Sequence, residues 1–558
     1  MRVEDPIRPT SAPVAPDEMA SRGGRGVEPA LGAALAVAAL LVRRPWQPKG
    51  PFWIDEAWVA DSLRVPLSQL RGLAGSTPLG WLALLRLVPP VGGPERYRVV
   101  PLLFALAAIV PAYLLGRRVA PPRASRWATR LPAITAGLAV GLLPAAVARP
   151  SLKQYTCEVL VALVLVLLLA RAEGAFTPTR LALLGAACVP AALLSNTSLF
   201  VSAVVVAALG LRALLKAEWR RLPGLLGLVA AVACVDLGAL AWLLPARGNP
   251  TLIHYWTRIG TFLPIHQGLD VAAAVAGHRL AAALGDIGFG PWPVVVVLAV
   301  TGAVALWRAG FPAVALALPL LGAELVAAGA TQRFPFVDER TSLFALALVA
   351  VFCGIGVGAV AAHLLGSVRT GPLAVVALVG MLAMLAPATV AAGAARVPRE
   401  LVPEQLARLQ SQLRPGDVVL VSALASWQYA YYAPDRPTFL TTPPRWAAVP
   451  FTVAYPGRRD LVVVAGIDDA AIRRALRDAA GRTKRIWLVF GHSEPGQKEE
   501  TLWYAAARSI GRVTKVRTGV VERFGRRRAE LERPWLVEVG RQPETIPIQL
   551  RRRASPGP

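Results

Sequence analysis

Asparagine and lysine are almost missing from this chain. Two Asn (Asn196 and Asn249) and six Lys stand against 54 Arg in 558 residues, so the formal charge of +26 is an arginine charge. With the abundance of Ala, Gly and Pro, this composition reads as the codon bias of a GC-rich genome. Much of the excess lies in short loops beside hydrophobic runs, where basic residues orient a membrane protein. No nucleic-acid partner is expected. Only four cysteines occur (Cys157, Cys188, Cys234, Cys353), all inside apolar runs and without metal-ligand spacing. They read as small packing residues and say nothing of redox compartment. His254, His266 and His278 show no ligand spacing either, and no divalent metal or other cofactor is expected. No long internal repeat is visible, which argues against the many transporters built from repeats. No cleavable signal peptide is evident: residues 1–28 are Pro-rich and polar, and are expected to be disordered.

What the chain has is hydrophobic length. It is 55% hydrophobic with a mean hydropathy of +0.50, and apolar runs recur between residues 29 and 393 and then stop. The runs predict about eleven transmembrane helices: 29–42, 99–116, 131–148, 156–170, 181–194, 197–215, 222–245, 291–307, 311–330, 342–362 and 371–393. The break at Ser195-Asn196-Thr197 separates two of them. An odd number of spans puts the two ends on opposite sides. Arg and Lys are denser in the loops on the N-terminal side, as in Arg117, Arg118, Arg123, Arg126 and Arg130, so that side is expected to be cytoplasmic. The domain plan is a disordered N-terminus (1–28), a transmembrane domain (29–395), an extracytoplasmic α/β domain (396–541) and a disordered tail (542–558). The fold class is thus an all-α polytopic membrane bundle with a small C-terminal α/β domain.

In the C-terminal region, 417–422 (DVVLVS), 460–465 (DLVVVA) and 486–490 (IWLVF) read as strands, with a helix over 468–480 between the last two. No glycine-rich phosphate loop opens its helices, so no nucleotide is assigned. The two long outer loops, 43–98 and 246–290, are long enough to carry function. Stretches 56–73 and 78–88 of the first are amphipathic and are expected to lie along the membrane surface.

The first outer loop also holds the candidate chemistry. Phe52-Trp53-Ile54-Asp55-Glu56-Ala57-Trp58 places two adjacent carboxylates among aromatics, close to lipid, where charge is costly unless hydrated, paired or in use. Asp55 also suits the N-cap of a helix beginning at Glu56, and capping and chemistry are compatible. Lys153, in Arg149-Pro150-Ser151-Leu152-Lys153-Gln154-Tyr155-Thr156-Cys157-Glu158, is either an interfacial anchor with Tyr155 or a polar wall of a substrate site. His254-Tyr255-Trp256 and Gly260-Thr261-Phe262-Leu263-Pro264 fit sugar stacking, a grip on a prenyl chain, or an ordinary aromatic belt. Asp236 and Glu324 lie inside predicted spans, where structural pairing is the plainer reading. Trp427, Tyr429, Tyr431 and Tyr432 fit either carbohydrate stacking or a helix buried on its aromatic face.

Four motifs, in order, resemble the GT-C superfamily of membrane glycosyltransferases, nearest the protein O-mannosyltransferase and lipid A aminoarabinose transferase branch and its bacterial relatives. They are Asp55-Glu56-Ala57 after the first span; Ser76-Thr77-Pro78-Leu79-Gly80-Trp81; Gly92-Gly93-Pro94-Glu95 with Arg98-Val99-Val100-Pro101 at the second span; and Arg333-Phe334-Pro335-Phe336 with Arg340-Thr341-Ser342-Leu343-Phe344 before a late span. The likeness covers about residues 29–393. It implies transfer of a monosaccharide, with inversion, from a polyprenyl-phosphate donor to a hydroxyl of a cell-envelope glycan, lipid or protein. Asp55 would be the general base and Glu56 would position the acceptor or orient Asp55. Arg98, Lys153 and Arg340 would bind the donor phosphate, with Tyr155, Tyr255 and Trp256 as acceptor or lipid contacts. One departure stands out: Ser76-Thr77 occupies the place where the branch often carries a phosphate-binding cation. A transporter or flippase using Asp236 and Glu324, and a membrane-anchored envelope-binding scaffold, are the alternative readings.

Overall fold

In lipid every backbone polar group must find its partner within the chain, so long apolar runs become helices. The computed structural model describes residues 27–43, 50–66, 68–70, 77–89, 93–119, 128–148, 152–247, 253, 256–257, 259–365, 371–394, 402–440, 452–464, 469–489, 499–515 and 535–539. Most of the N-terminal stretch 1–28 and all of the tail 542–558, both expected to be disordered, lie outside the described residues. Helix α1 (Val27–Arg43) is followed in the first long loop by α2 (Ile54–Ser62) and α3 (Leu79–Arg86). Next come α4 (Val99–Ala107), α5 (Ile109–Gly116), α6 (Leu131–Gly141), α7 (Pro144–Ala148), α8 (Tyr155–Gly174), α9 (Pro178–Leu194), α10 (Ser198–Leu215) and α11 (Leu222–Arg247). The second long loop contains α12 (Leu269–Gly285), and α13 (Trp292–Arg308), α14 (Pro312–Ala330), α15 (Leu343–Leu365) and α16 (Gly371–Ala394) complete the bundle.

Seven described stretches are long and apolar enough to cross a membrane: Arg96–Gly116, Tyr155–Gly174, Ser198–Leu215, Trp219–Ala241, Pro312–Ala330, Leu343–Leu365 and Val375–Gly393. Three shorter apolar helices, Leu31–Arg43, Pro178–Leu194 and Trp292–Arg308, coincide with predicted spans. The remaining expected span, 131–148, is not one helix. Helix α6 ends at Gly141, Leu142 leaves the helical region (φ −104, ψ 14), and α7 begins at Pro144. Proline supplies no N–H and disfavours helical backbone in the residue before it, so the run breaks there.

Helix α15 is the centre of the bundle, with most of its length buried between α6 and α13. It crosses α13 at small residues: a Cβ on Gly302 would collide with the Phe352 carbonyl, and one on Gly356 with the Leu298 carbonyl. Without a hydrophobic drive between helices in lipid, such close backbone approach is what supplies packing. At the other extreme, α16 leaves Leu373, Val375, Val376 and Val379 exposed, as expected of side chains that face lipid tails.

After α17 (Val402–Gln412) the chain forms a five-stranded sheet. Strands β1 (Val418–Val421), β4 (Leu461–Val463) and β5 (Arg485–Val489) run parallel, and β6 (Gly511–Lys515) and β7 (Trp535–Val539) add an antiparallel edge, in the order β4-β1-β5-β7-β6. The crossover helix α19 (Asp469–Ala480) joins β4 to β5 as the strand–helix–strand pattern predicts, and α20 (Glu499–Arg508) packs on α19. Between β1 and β4 lie helix α18 (Ser426–Tyr432) and a two-stranded ribbon of β2 (Thr438–Leu440) and β3 (Thr452–Ala454).

The glycine crossing sets an expected outcome. Gly302→Leu forces α13 away from α15 and should cost about 1–3 kcal/mol as overpacking, read as a lower melting temperature in detergent. Gly210→Ala on α10, where a Cβ meets nothing within 4 Å, should leave the melting temperature unchanged or raise it.

Candidate active site

Helix α2 begins after Trp53, whose backbone is extended and whose N–H donates to Glu56 Oε2 at 3.4 Å. Two carboxylates in the first turn suit the positive end of the helix dipole. Asp55 therefore lies inside the first turn and is not the cap residue. Neighbouring positions on a helix point about 100° apart, and the two carboxylates have opposite surroundings. Glu56 turns into the protein and takes a forked pair from Arg98, Nε to Oε1 at 3.0 Å and a terminal nitrogen to Oε2 at 2.6 Å. Arg98 also donates to the carbonyls of Gly50 (2.8 Å) and Pro51 (3.3 Å), with its guanidinium over the Phe52 ring.

Asp55 turns the other way and stays partly exposed. Its Oδ2 lies 3.8 Å from Lys153 Nζ and 4.0 Å from a terminal nitrogen of Arg340. Of the three carboxylates on α2, only Asp55 keeps substantial exposure: its side chain is 24% exposed, against 1% for Glu56 and 0% for Asp61. Burial pushes the Asp61 carboxyl well above the usual range, with Arg64 opposing that shift.

Each cation is aimed by its own element. Lys153 precedes α8, and its lead-in is fixed by Trp81 of α3, whose indole N–H donates to the Leu152 carbonyl at 2.6 Å. The ammonium stands 3.9 Å from the ring centroid of Trp58, which is on the same face of α2 as Asp55 at the i, i+3 spacing. Burial lowers the Lys153 ammonium below its usual value, with Asp55 opposing that shift. Arg340 lies in the turn before α15. Asp338 Oδ1 accepts the N–H groups of Arg340 and Thr341, both at 3.1 Å, and faces Arg340 Nε at 3.7 Å. Val337, with φ at 47, turns the chain into this arrangement; a β-branched residue seldom adopts that conformation. The second long loop straps the same turn through Phe336 N–H to the Thr261 carbonyl (2.8 Å) and Leu263 N–H to the Gly329 carbonyl (3.2 Å). It brings the Trp256 ring to 5.7 Å from the Arg340 guanidinium.

The structure thus brings together Asp55, Lys153, Arg340 and Trp256, with Tyr155 within electrostatic reach of Asp55 and Arg340. Arg98 is engaged by Glu56 and two carbonyls, which makes it a tether of α2. Tyr255 lies outside the described residues, as does Ser76, and Thr77 is buried. Three further residues belong to the site's surroundings. Trp58 faces Lys153, Asp338 shapes the Arg340 turn, and Glu158 takes hydrogen bonds from Gln154 and the Asn196 backbone beside Lys153. Asp338 carried a local signal, since Asp accepting backbone N–H groups two and three residues on is a standard turn device. Away from the site, Asp236 accepts a hydrogen bond from Ser202 at 2.8 Å, a helix-to-helix link. Helix α2 does not lie open on a membrane surface as expected, because residues 56–62 are all buried.

No protein-family model matches the sequence, and no curated protein matches it. Solved structures do. The chain is similar to ArnT, the lipid A aminoarabinose transferase of Cupriavidus metallidurans, in the apo state (TM-score 0.54) and bound to undecaprenyl phosphate (TM-score 0.53). The identity is 12%, over 92% of this chain and 98% of that one. It is also similar to the archaeal oligosaccharyltransferase AglB of Archaeoglobus fulgidus in complex with an inhibitory peptide and a dolichol-phosphate. There the TM-score is 0.52 and the identity 11%, over 87% of this chain and 72% of that one. At such identities the likeness is one of fold: the chain shares with these structures a polytopic helical membrane bundle followed by a small C-terminal domain.

Removing one partner of the Glu56–Arg98 pair leaves a buried charge uncompensated. Glu56→Ala or Arg98→Ala should each lose about 3–5 kcal/mol of stability, whereas replacing both with Met should cost less than either single change. Denaturation of the purified variants in detergent checks this, and singles as stable as the wild type would show that the pair is not the tether.

Proposed function

We propose that this protein is a glycosyltransferase that moves a monosaccharide from a polyprenyl-phosphate donor to an acceptor hydroxyl of the cell envelope. The reaction takes place at the outer face of a bacterial plasma membrane, with the N-terminus cytoplasmic and the C-terminal domain outside. The observation that carries this reading is the Asp55 carboxylate, the one on α2 open to a substrate, set against Lys153 and Arg340. The two ligands named with the similar folds, undecaprenyl phosphate and dolichol-phosphate, are both polyprenyl phosphates and support the donor class.

The chemistry follows from that triangle. Asp55 takes the proton of the acceptor hydroxyl as its oxygen attacks the anomeric carbon. The bond from that carbon to the phosphate oxygen breaks, its electron pair stays on the leaving polyprenyl phosphate, and the anomeric centre inverts. Lys153 and Arg340 meet the charge that develops on the phosphate, where fixed cations stabilise a transition state most. Trp58 and Trp256 lie against them and restrict both beside Asp55. Both cations face one oxygen of Asp55, at distances too long for strong hydrogen bonds. A phosphate offers them more charge and more acceptor oxygens. Donor binding therefore draws them off Asp55 and frees the carboxylate to act as a base. These two residues supply the positive charge that Ser76-Thr77 does not, and the chemistry draws on no divalent ion. Tyr155 and Tyr255 complete the reading as acceptor or lipid contacts.

Two outcomes test it. Asp55→Asn should lower transfer at least about 100-fold, the scale of a lost general base, measured with labelled polyprenyl-phosphate sugars and envelope extract as acceptor. The same variant should bind polyprenyl phosphate more tightly than the wild type, because the competing carboxylate is gone. Equal transfer by both forms removes Asp55 from the mechanism. Affinity for polyprenyl phosphate should also fall as pH rises, beginning below the ordinary lysine value of 10.5, because burial lowers the Lys153 ammonium and only its charged form holds phosphate. Lys153→Arg should move that fall to higher pH in a binding titration.

A further inference from the structure

Helix α2 is nine residues long, too short to be stable in water on its own. Its outer side is covered by α18, from the C-terminal domain. The Phe52 N–H donates to the Tyr432 hydroxyl at 2.6 Å. The Phe52 ring, fully buried, lies 4.9 Å from the Tyr431 ring. At the other end of α2, Arg64 donates to the carbonyls of Ala430 (3.0 Å) and Tyr431 (3.1 Å), and its guanidinium stands 4.6 Å from the Tyr431 ring. Those carbonyls belong to the last turn of α18, where acceptors lack partners inside the helix and the dipole favours a cation. Phe52 precedes Asp55 by three residues, and Arg64 follows the last helical residue, Ser62, by two. Three consecutive residues of the C-terminal domain, 430–432, therefore grip both ends of the helix that carries Asp55. The aromatic cluster of α18 is spent on this contact and not on an open sugar-binding face: Trp427 and Tyr429 are buried, and Tyr429 meets Tyr455 edge-on at 5.8 Å.

We propose that α18 is a clamp on the catalytic helix, that Tyr432 and Arg64 are positioning residues for transfer, and that the C-terminal domain is thereby a working part of the active site. The clamp follows from the contacts alone, while its effect on turnover rests on the glycosyltransferase reading. Lys153 and Arg340 stand on other elements, before α8 and before α15. Loosening α2 therefore moves Asp55 relative to the two cations and to the acceptor, while the segments that carry the cations keep their place. Misplacement of a reacting group by about 1 Å is enough to cost on the order of 100-fold in rate.

Tyr432→Phe keeps the ring and deletes the hydroxyl that accepts from Phe52. Arg64→Met keeps most of the stem and deletes both bonds to α18, and Arg64→Lys restores a donor. Amide hydrogen exchange of residues 54–62 should speed up at least about tenfold in Tyr432→Phe and in Arg64→Met, while exchange in α15 stays as in the wild type. Turnover number should fall about tenfold or more, affinity for polyprenyl phosphate should be unchanged or slightly tighter, and Arg64→Lys should recover part of the loss. Unchanged exchange in α2 in both variants overturns the clamp. Faster exchange with unchanged turnover overturns the positioning role. If the wild type transfers no sugar, the glycosyltransferase reading fails, and the exchange measurement still decides the clamp.

Discussion

The Glu56–Arg98 pair is the constraint on which the site depends. A carboxylate and a guanidinium taken out of water lose several kcal/mol of hydration each, and they stay charged only where geometry and extra hydrogen bonds offset that loss. Here the guanidinium fork meets both carboxylate oxygens and also binds the Gly50 and Pro51 carbonyls. Arg98 belongs to the segment that leads into α4, within the candidate span Arg96–Gly116, so the pair ties α2 to the membrane bundle. One residue earlier, the helix has turned far enough for Asp55 to face Lys153 and Arg340. Two neighbouring acids thus divide their roles by the geometry of a single turn: one fixes the helix, and the other is left where a substrate can reach it.

The cluster itself is assembled from parts far apart in the chain. Asp55 comes from the first long loop, Lys153 from the lead-in to α8 and Arg340 from the turn before α15, which the second long loop straps in place. The cations lie against tryptophan rings, which restrict them without neutralising them. A site made this way keeps its charges close while each stands on a separately anchored element. The C-terminal domain completes it from above by closing over α2.

Hydropathy made the bundle legible because backbone in lipid leaves the chain few choices, and the strand–helix–strand unit of the C-terminal domain was legible for a similar reason: apolar strands flank an amphipathic helix. The break inside 131–148 is not legible, because composition alone hides the effect of Pro144 on its neighbours. Asp55, Lys153 and Arg340 were visible as charges in motifs beside spans. The pairing of Arg98 with Glu56 was not, since two residues 42 positions apart reveal no partner by spacing. The burial of α2 was the hardest feature to read. An amphipathic stretch beside a membrane looks the same whether lipid or protein covers it, and here the cover is encoded some 380 residues later.

That separation orders the protein's assembly. The helix bearing Asp55 is made among the first segments of the chain, and the residues that grip its two ends are made near the last. Until the ribosome has passed Tyr432, α2 has its tether to the bundle but not its outer cover, and the face that α18 takes is open to chaperones or to lipid. A premature stop before residue 430 would leave Asp55, Lys153 and Arg340 in the chain, with α2 held by its tether to the bundle and no longer gripped from the other side.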